Sequence, residues 1–386
     1  MRILVLHNDY GRYSGEEAVV DRLVADFESM GHEVRQVRPS TAGLRGTLWG
    51  NILGFFAGIY SPRGVRMVKR ALREFRPNVV HVHNLYPFLS PACLFACHRS
   101  GARVLMTVHN YRLICPTGLF LREGKPCEEC LACGNERPCL RHNCEGSRLR
   151  TLGYGLRNMV ARRSGAYLKN VDLFCCLTQF QKSKLVEAGF PEEKMVVIPN
   201  YFDNSIEPPK CFEGSQPFVG YVGRLSHEKG YDLLVEVARR HPEIPFRLAG
   251  EVREEEHPLQ LPNVEYCGLL DKDALEQFYR QAAFLAQPSR CYEGFPLVIP
   301  EAFAHGLPLI VPQHGPFPDL VTDGGRCFAP GDVDSLEKQV VALWQDGELR
   351  QALSQQAREL YLTRYSPSVV QALWQVNLRS RYLERE

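Results

Sequence analysis

The feature that most constrains this chain is an alternation of short apolar runs with helical stretches. Met1-Arg-Ile-Leu-Val-Leu-His7, Val79-Val-His-Val-His-Asn84, Val104-Leu-Met-Thr-Val-His-Asn110, Asp172-Leu-Phe-Cys-Cys-Leu177 and Phe218-Val-Gly-Tyr-Val222 read as strands. Helical segments separate them, so the default is a parallel sheet with helices on both faces. The alternation halts at Tyr201 to Gln216, rich in proline and polar residues, and restarts at Phe218. With 386 residues the chain can build two domains, each with its own core. The expected boundaries are 1–200, including a cysteine-rich insertion at 111–147, then 201–366, then a final helical segment at 367–386.

Two segments of the second half carry chemistry. In the first, Gly223-Arg-Leu-Ser-His-Glu-Lys-Gly230, Arg224 and Lys229 place two cations on one strand-to-helix loop, with a glycine at either end. Such a loop suits a diphosphate. The second, Glu293-Gly-Phe-Pro-Leu-Val-Ile-Pro-Glu301, follows the apolar run Phe284 to Ser289. A helix is expected from Leu297 to His305, with Pro296 near its first position, where a missing N–H costs little. Free N–H groups at a helix start favour an anion. Glu293 and Glu301 would flank it, and carboxylates accept hydrogen bonds from sugar or ribose hydroxyls.

The paired glutamates, Gly-Arg-Leu-x-x-x-Lys-Gly and Pro288-Ser289 resemble the retaining glycosyltransferases of family 4 over nearly the whole chain. The resemblance implies an α/β protein of GT-B architecture, two facing Rossmann-like domains with parallel sheets, whose last helix crosses back to the first domain. It implies a nucleoside diphosphate sugar as donor and a glycan or lipid-linked acceptor; no other residues supply a divalent site for the diphosphate, so Arg224, Lys229 and the helix start are expected to carry its charge with no cofactor in the chemistry. His109, in Thr107-Val-His-Asn110, matches a histidine near the donor sugar, with Arg224, Lys229 and Glu293 as the other catalytic candidates. The donor would also meet Gly15, Gly223, Glu251, Gly268, Leu269, Gly294, Phe295, Pro296 and Leu297, with Glu301 on the ribose. Gly15 departs from the family pattern, because Ser14 stands where a second glycine is usual; Ser14 also reads as a helix N-cap. His81 and His83 are weaker candidates, with His83-Asn-Leu-Tyr-Pro87 on the acceptor side.

Six of the fourteen cysteines lie between Cys115 and Cys144. Cys127-x-x-Cys130 and Cys139-x4-Cys144 have spacing close to a four-cysteine structural zinc knuckle, with Cys115, Cys133 and His142 as spare ligands. Free thiols, disulfides and an iron–sulfur cluster remain open readings. Of the others, Cys93, Cys97, Cys175, Cys176 and Cys267 read as small core residues. Asp332-Val-Asp334 resembles a metal-binding acidic motif, yet its position before a helical run to Trp344 makes it a cap.

Charge excludes little. A net charge of +2 gives no overall field for nucleic acid. The Gly43–Tyr60 stretch, with Trp49, Phe55 and Phe56, precedes Arg63, Arg66, Lys69 and Arg70, and reads either as a buried helix or as peripheral contact with an anionic membrane. Arg148 to Lys169 reads as a basic helix with Arg150, Arg157, Arg162 and Arg163, either solvated or facing a phosphate-bearing acceptor. No apolar run reaches membrane-spanning length and Met1 begins a strand, so a cytoplasmic protein, peripheral at the inner membrane face, is expected. The function expected is hexose transfer with retention in surface polysaccharide synthesis. Its rivals are a GT-B epimerase or phosphorylase, an idle glycan-binding partner protein and a zinc-knuckle nucleic-acid binder.

Overall fold

A computed structural model describes residues 1–9, 14–40, 55–203, 216–253 and 256–379. It divides into two units, Met1–Phe120 with Glu128–Ile198, and Leu121–Cys127 with Pro199–Glu386. The cysteine-rich stretch expected as one insertion of the first domain is therefore split. Its hairpin, Leu121–Arg122 with Lys125–Pro126, belongs to the second unit. There Gly124 at its tip faces the His227 ring. Most of the expected linker, 204–215, lies outside the described residues, as do Trp49 and the start of its apolar stretch.

The first unit holds one six-stranded sheet of β1 (Arg2–Leu6), β2 (Glu33–Val37), β3 (Val79–Val82), β4 (Arg103–Val108), β5 (Leu173–Cys176) and β6 (Met195–Val197). Their order is β2-β1-β3-β4-β5-β6, and every pairing is parallel. Ile3 to Leu6 and Val79 to Val82 are buried along their whole length, the signature of strands covered on both faces.

The second unit repeats the plan with β7 (Phe218–Val222), β8 (Phe246–Ala249), β9 (Val264–Gly268), β10 (Ala282–Ala286), β11 (Leu309–Pro312) and β12 (Gly325–Phe328). The order is β9-β8-β7-β10-β11-β12, again all parallel. Numbered within the unit this is 3-2-1-4-5-6, the doubly wound dinucleotide-fold order, which reverses between β7 and β10. Loops leaving the carboxyl ends of two such strands diverge to opposite faces and open a crevice. In the first sheet the reversal falls between β1 and β3.

Cys93, Cys97, Cys175 and Cys176 are core residues, as expected, whereas Cys267 on the edge strand β9 is half-buried. The basic segment 148–169 is two helices, Arg148–Ser164 and Ala166–Asn170, broken at the left-handed Gly165. Among the described residues no helix is long and apolar enough to cross a membrane.

Candidate functional site

Each crevice has its own residues, and the second unit's is the better furnished. The loop after β7 runs through Gly223–Gly230 into α3 (Tyr231–Arg240), taking α1 as Gly15–Ser29 and α2 as Arg148–Ser164. The loop after β10 runs through Gln287–Leu297 into α4 (Val298–Ala304). Two glycines allow the loops to close up. Gly230 has φ +71°, and a Cβ there would lie 1.9 Å from the Pro288 carbonyl oxygen. Gly250, after β8, would place a Cβ 1.8 Å from the Gly223 carbonyl oxygen. Any side chain at either position would drive the loops apart.

Across this junction Lys229 Nζ donates to Glu293 Oε1 at 2.6 Å, and Ser289 Oγ donates to the same oxygen at 2.9 Å. Burial alone raises the Glu293 carboxyl; Lys229 and Ser289 outweigh it and hold the group below its ordinary range. Lys229 is the mirror case, lowered by burial and raised more strongly by Glu293, so it stays charged. Both are half-buried rather than open to the crevice. Arg224 is the exposed cation, with only a 3.7 Å approach to Glu228. Its carbonyl accepts from the Tyr221 hydroxyl at 2.7 Å, which fixes the turn.

Arg290 is the residue that sequence reading missed, although it follows the quoted Pro288-Ser289. Its guanidinium donates to both Asp232 oxygens at 2.5 and 2.6 Å and to the His227 carbonyl at 2.8 Å, locking the β10 loop onto the β7 loop.

Glu301 lies in α4 and accepts from the Tyr279 hydroxyl at 2.5 Å. The helix starts at Val298 without a side-chain cap, and the Ile299 N–H already bonds to the Pro296 carbonyl at 3.1 Å. Phe295 packs its ring on Tyr365, so only its backbone remains for a ligand. Gly268 is left-handed at φ +66° and its carbonyl accepts from the Gly250 N–H at 2.7 Å; Leu269 beside it is 85% exposed. Glu251 is exposed, with its carbonyl accepting from the Leu225 N–H at 2.9 Å. Asp332 is the N-cap of α5 (Val333–Gln345) and accepts from the Ser335 N–H, while Asp334 pairs with Arg240 at 2.7 Å. The acidic doublet is structural, as expected.

In the first unit the reversal between β1 and β3 gathers histidines. His83 Nδ1 and His109 Nε2 lie 2.8 Å apart with their rings stacked, and His81 Nε2 meets Thr107 Oγ1 at 2.8 Å. Burial pushes His109 down to about 4 and His81 down to about 3, so both are neutral imidazoles near pH 7. A cavity of about 30 Å³ is lined by Glu16, His83, Asn84, Tyr86, His109 and Arg112 among others. Asn8, unremarked in the sequence, and Asn84 stitch the loops together, the Asn8 N–H donating to the Asn84 carbonyl at 2.8 Å. Gly15 is the first residue of α1; Ser14 caps it in a capping box with Glu17.

Among the described residues one set of three metal-type ligand atoms lies within 4.8 Å: His7, Asp9 and Glu17. Asp9 is already bonded to Arg38 at 2.7 Å and Glu17 to the Ser14 N–H. Of the predicted thiol ligands, Cys139 is buried beside Cys144, Cys130 is half-buried, and Cys127 ends the hairpin of the second unit.

Comparison with known proteins agrees with this geometry. The family described as Glycosyltransferase Family 4 matches residues 13–205, and Glycosyl transferases group 1 matches 204–360. The sulfoquinovosyl transferase SQD2 of Arabidopsis thaliana is 33% identical over 156 residues, 38% of this chain and 30% of that protein. An uncharacterised 42.6 kDa protein from the cps region of Klebsiella pneumoniae is 23% identical over 307 residues, 75% of this chain and 74% of that one. The match to the plant transferase thus covers under a third of its length. The solved sucrose-phosphate synthase of Thermosynechococcus elongatus superposes with a TM-score of 0.74 at 16% identity, covering 99% of both chains. Anabaena HepE in complex with UDP-glucose gives 0.65 at 16% identity, covering 98% of this chain and all of that one. Two doubly wound parallel sheets, the cation-bearing loop at the second sheet's reversal and the two family matches lead to one assignment: the chain belongs to glycosyltransferase family 4 and has the GT-B fold.

Proposed function

We propose that this glycosyltransferase moves a hexose from a nucleoside diphosphate sugar to a glycan or lipid-linked acceptor, with retention, in surface polysaccharide synthesis. The observation that carries the donor side is the Lys229–Glu293 pair at the β7/β10 reversal, with exposed Arg224 beside it. A lysine ammonium has three donors, so Lys229 keeps Glu293 and still offers hydrogens to a phosphate. Arg224, half-exposed and only 3.7 Å from Glu228, brings a planar fork to the same diphosphate. Together they neutralise charge that builds on the leaving group, the kind of electrostatic stabilisation that dominates such transfers. Glu293, held ionised, accepts from sugar hydroxyls, and Glu301 from the ribose. His109, neutral and buried, offers a hydrogen bond to the sugar rather than a proton source at pH 7.

No divalent ion is required in this scheme, because two cationic side chains carry the diphosphate charge. The complex of HepE with UDP-glucose and the cps-region relative support the donor class and the polysaccharide setting. Peripheral membrane contact is supported by Phe56 and Leu149, 64% and 68% exposed, Leu149 standing between Arg148 and Arg150 in the chain.

The experiment is a thermal-shift and hydrolysis screen over nucleotide sugars, followed by transfer to glycan acceptors with and without EDTA. One donor should stabilise the protein and yield a product of unchanged anomeric configuration, insensitive to EDTA. Inverted product refutes retention, magnesium-dependent rescue refutes the metal-free scheme, and donor converted without an acceptor product makes the protein an epimerase.

A further inference from the structure

The loops that leave β7 and β8 stay paired after the strands themselves end. The Gly223 N–H donates to the Ala249 carbonyl at 2.9 Å, the Leu225 N–H to the Glu251 carbonyl at 2.9 Å, and the Arg253 N–H to the Leu225 carbonyl at 3.2 Å. Leu225 and Val252 thus form a parallel bridge beyond the sheet, anchored by the fully buried Leu225 side chain. Gly250 permits the approach, since a Cβ there would strike the Gly223 carbonyl. This backbone pairing fixes where the flanking side chains start. Arg224 stands on one loop and Arg253 on the other.

Both arginines reach Glu228. Arg253 Nη2 lies 3.4 Å and Arg224 Nη2 3.7 Å from the same oxygen, Glu228 Oε1. That carboxylate is largely withdrawn from solvent, while both guanidiniums are about half-exposed. Neither contact is closed, because charge-assisted N–H···O bonds shorten to about 2.7–2.9 Å. Arg290 shows the closed form, with the two Asp232 oxygens at 2.5 and 2.6 Å. Lys229 is likewise matched by Glu293 at 2.6 Å. Glu256 is held by the His227 N–H at 2.6 Å and the Tyr231 hydroxyl at 2.9 Å. Around Glu228, by contrast, two cations share one anion, and the surplus is positive.

We propose, on the reading of the β7/β10 crevice as the nucleoside diphosphate site, that Arg253 is a third cation for the diphosphate, set beside Arg224 by the Leu225–Val252 bridge. It lies outside both sequence segments that pointed to the donor, and only the pairing of the loops brings it to Arg224. Phosphate oxygens match a planar guanidinium fork better than one shared carboxylate oxygen does. As the diphosphate enters, both forks turn from Glu228 to it. Glu228 is therefore a competitor for the arginines, and its charge opposes the ligand.

The test is the calorimetric affinity of full-length protein for UDP, GDP and ADP, with the tightest binder carried through the variants. Arg253→Met should weaken binding about tenfold, as Arg224→Ala should, at an unchanged melting temperature. Glu228→Gln should instead tighten it, and Arg253→Met should still weaken binding in that background. An Arg253 that only braces its loop through Glu228 gives another pattern: both single variants weaken binding alike, and the double variant is no worse than either. That pattern overturns the assignment. So does unchanged affinity in Arg253→Met while Arg224→Ala weakens binding, a result that leaves the donor site itself standing. Wild-type protein that binds none of the three nucleotides, or affinity unchanged in both arginine variants, overturns the donor site and the role of Arg253 with it.

Discussion

Lys229→Met separates two jobs that the geometry gives to one side chain. Lys229 is Glu293's ionic partner at 2.6 Å, and both are largely withdrawn from solvent, with side-chain exposures of 25% and 15%. Removing one partner of a fully buried pair costs about 3–5 kcal/mol, because the remaining charge is stranded. Partial solvent access at Lys229 and the bond from Ser289 reduce this, so a loss of about 1–3 kcal/mol is expected. In a unit of this size that is several degrees of melting temperature. Adding Glu293→Gln removes the stranded charge and should recover most of the loss, a coupling that a double-mutant cycle reads directly. Turnover behaves otherwise: Lys229→Met should fall about a hundredfold or more, and the double variant should not recover. Arg224→Ala is the control. Half-exposed with only a 3.7 Å contact, it should cost a similar factor in kcat and under about 0.5 kcal/mol in stability. Chemical denaturation and initial rates suffice. Unchanged stability in Lys229→Met, or a double variant no more stable than the single, would refute the buried-pair argument; normal turnover in both single variants would refute the diphosphate assignment.

Acid should destabilise the first unit before its carboxylates titrate. His109 and His81 are held near 4 and 3, below the 6.5 of an unfolded histidine, so the unfolded chain binds more protons in between and stability falls with falling pH. His83 and His7 are lowered by burial as well, so the slope should be at least about 2–3 kcal/mol per pH unit around pH 5, and His109→Gln should remove about 1.4 kcal/mol per pH unit of it; a flat profile from pH 6 to 4.5 rejects the neutral cluster. Gly230→Ala forces a Cβ into the Pro288 carbonyl from a left-handed backbone, so it should lower both stability and donor affinity, while wild-type values would show that the loops do not need this approach. Phe56→Ser with Leu149→Ser should release the protein from anionic vesicles at an unchanged melting temperature, since both side chains are exposed; unfolding, or undiminished binding, counts against membrane contact.

The sequence by itself determined what depends on neighbours along the chain. Apolar runs marked the five strands read from sequence to within about two residues, the helix Val298–Ala304 was legible from Pro296 and the run to His305, and Asp332 was legible as a cap. Capping and glycine punctuation act over three or four residues, and sequence displays them. Strand order is not local. Lys229 and Glu293 are 64 residues apart, and only the placing of β7 against β10 makes them a half-buried ion pair. The histidine stack needs β3 beside β4 in the same way. Arg157 reads as one more cation of a basic helix, yet it is buried between the rings of Tyr86 and Tyr154 and holds the Pro116 loop. Cysteine spacing groups Cys127, Cys130, Cys139 and Cys144 by proximity in sequence, whereas the fold assigns the Cys127 hairpin to the second unit and the other three to the first. Periodicity fixes which face of an element is apolar; which distant charge meets it is decided by the topology of the sheets.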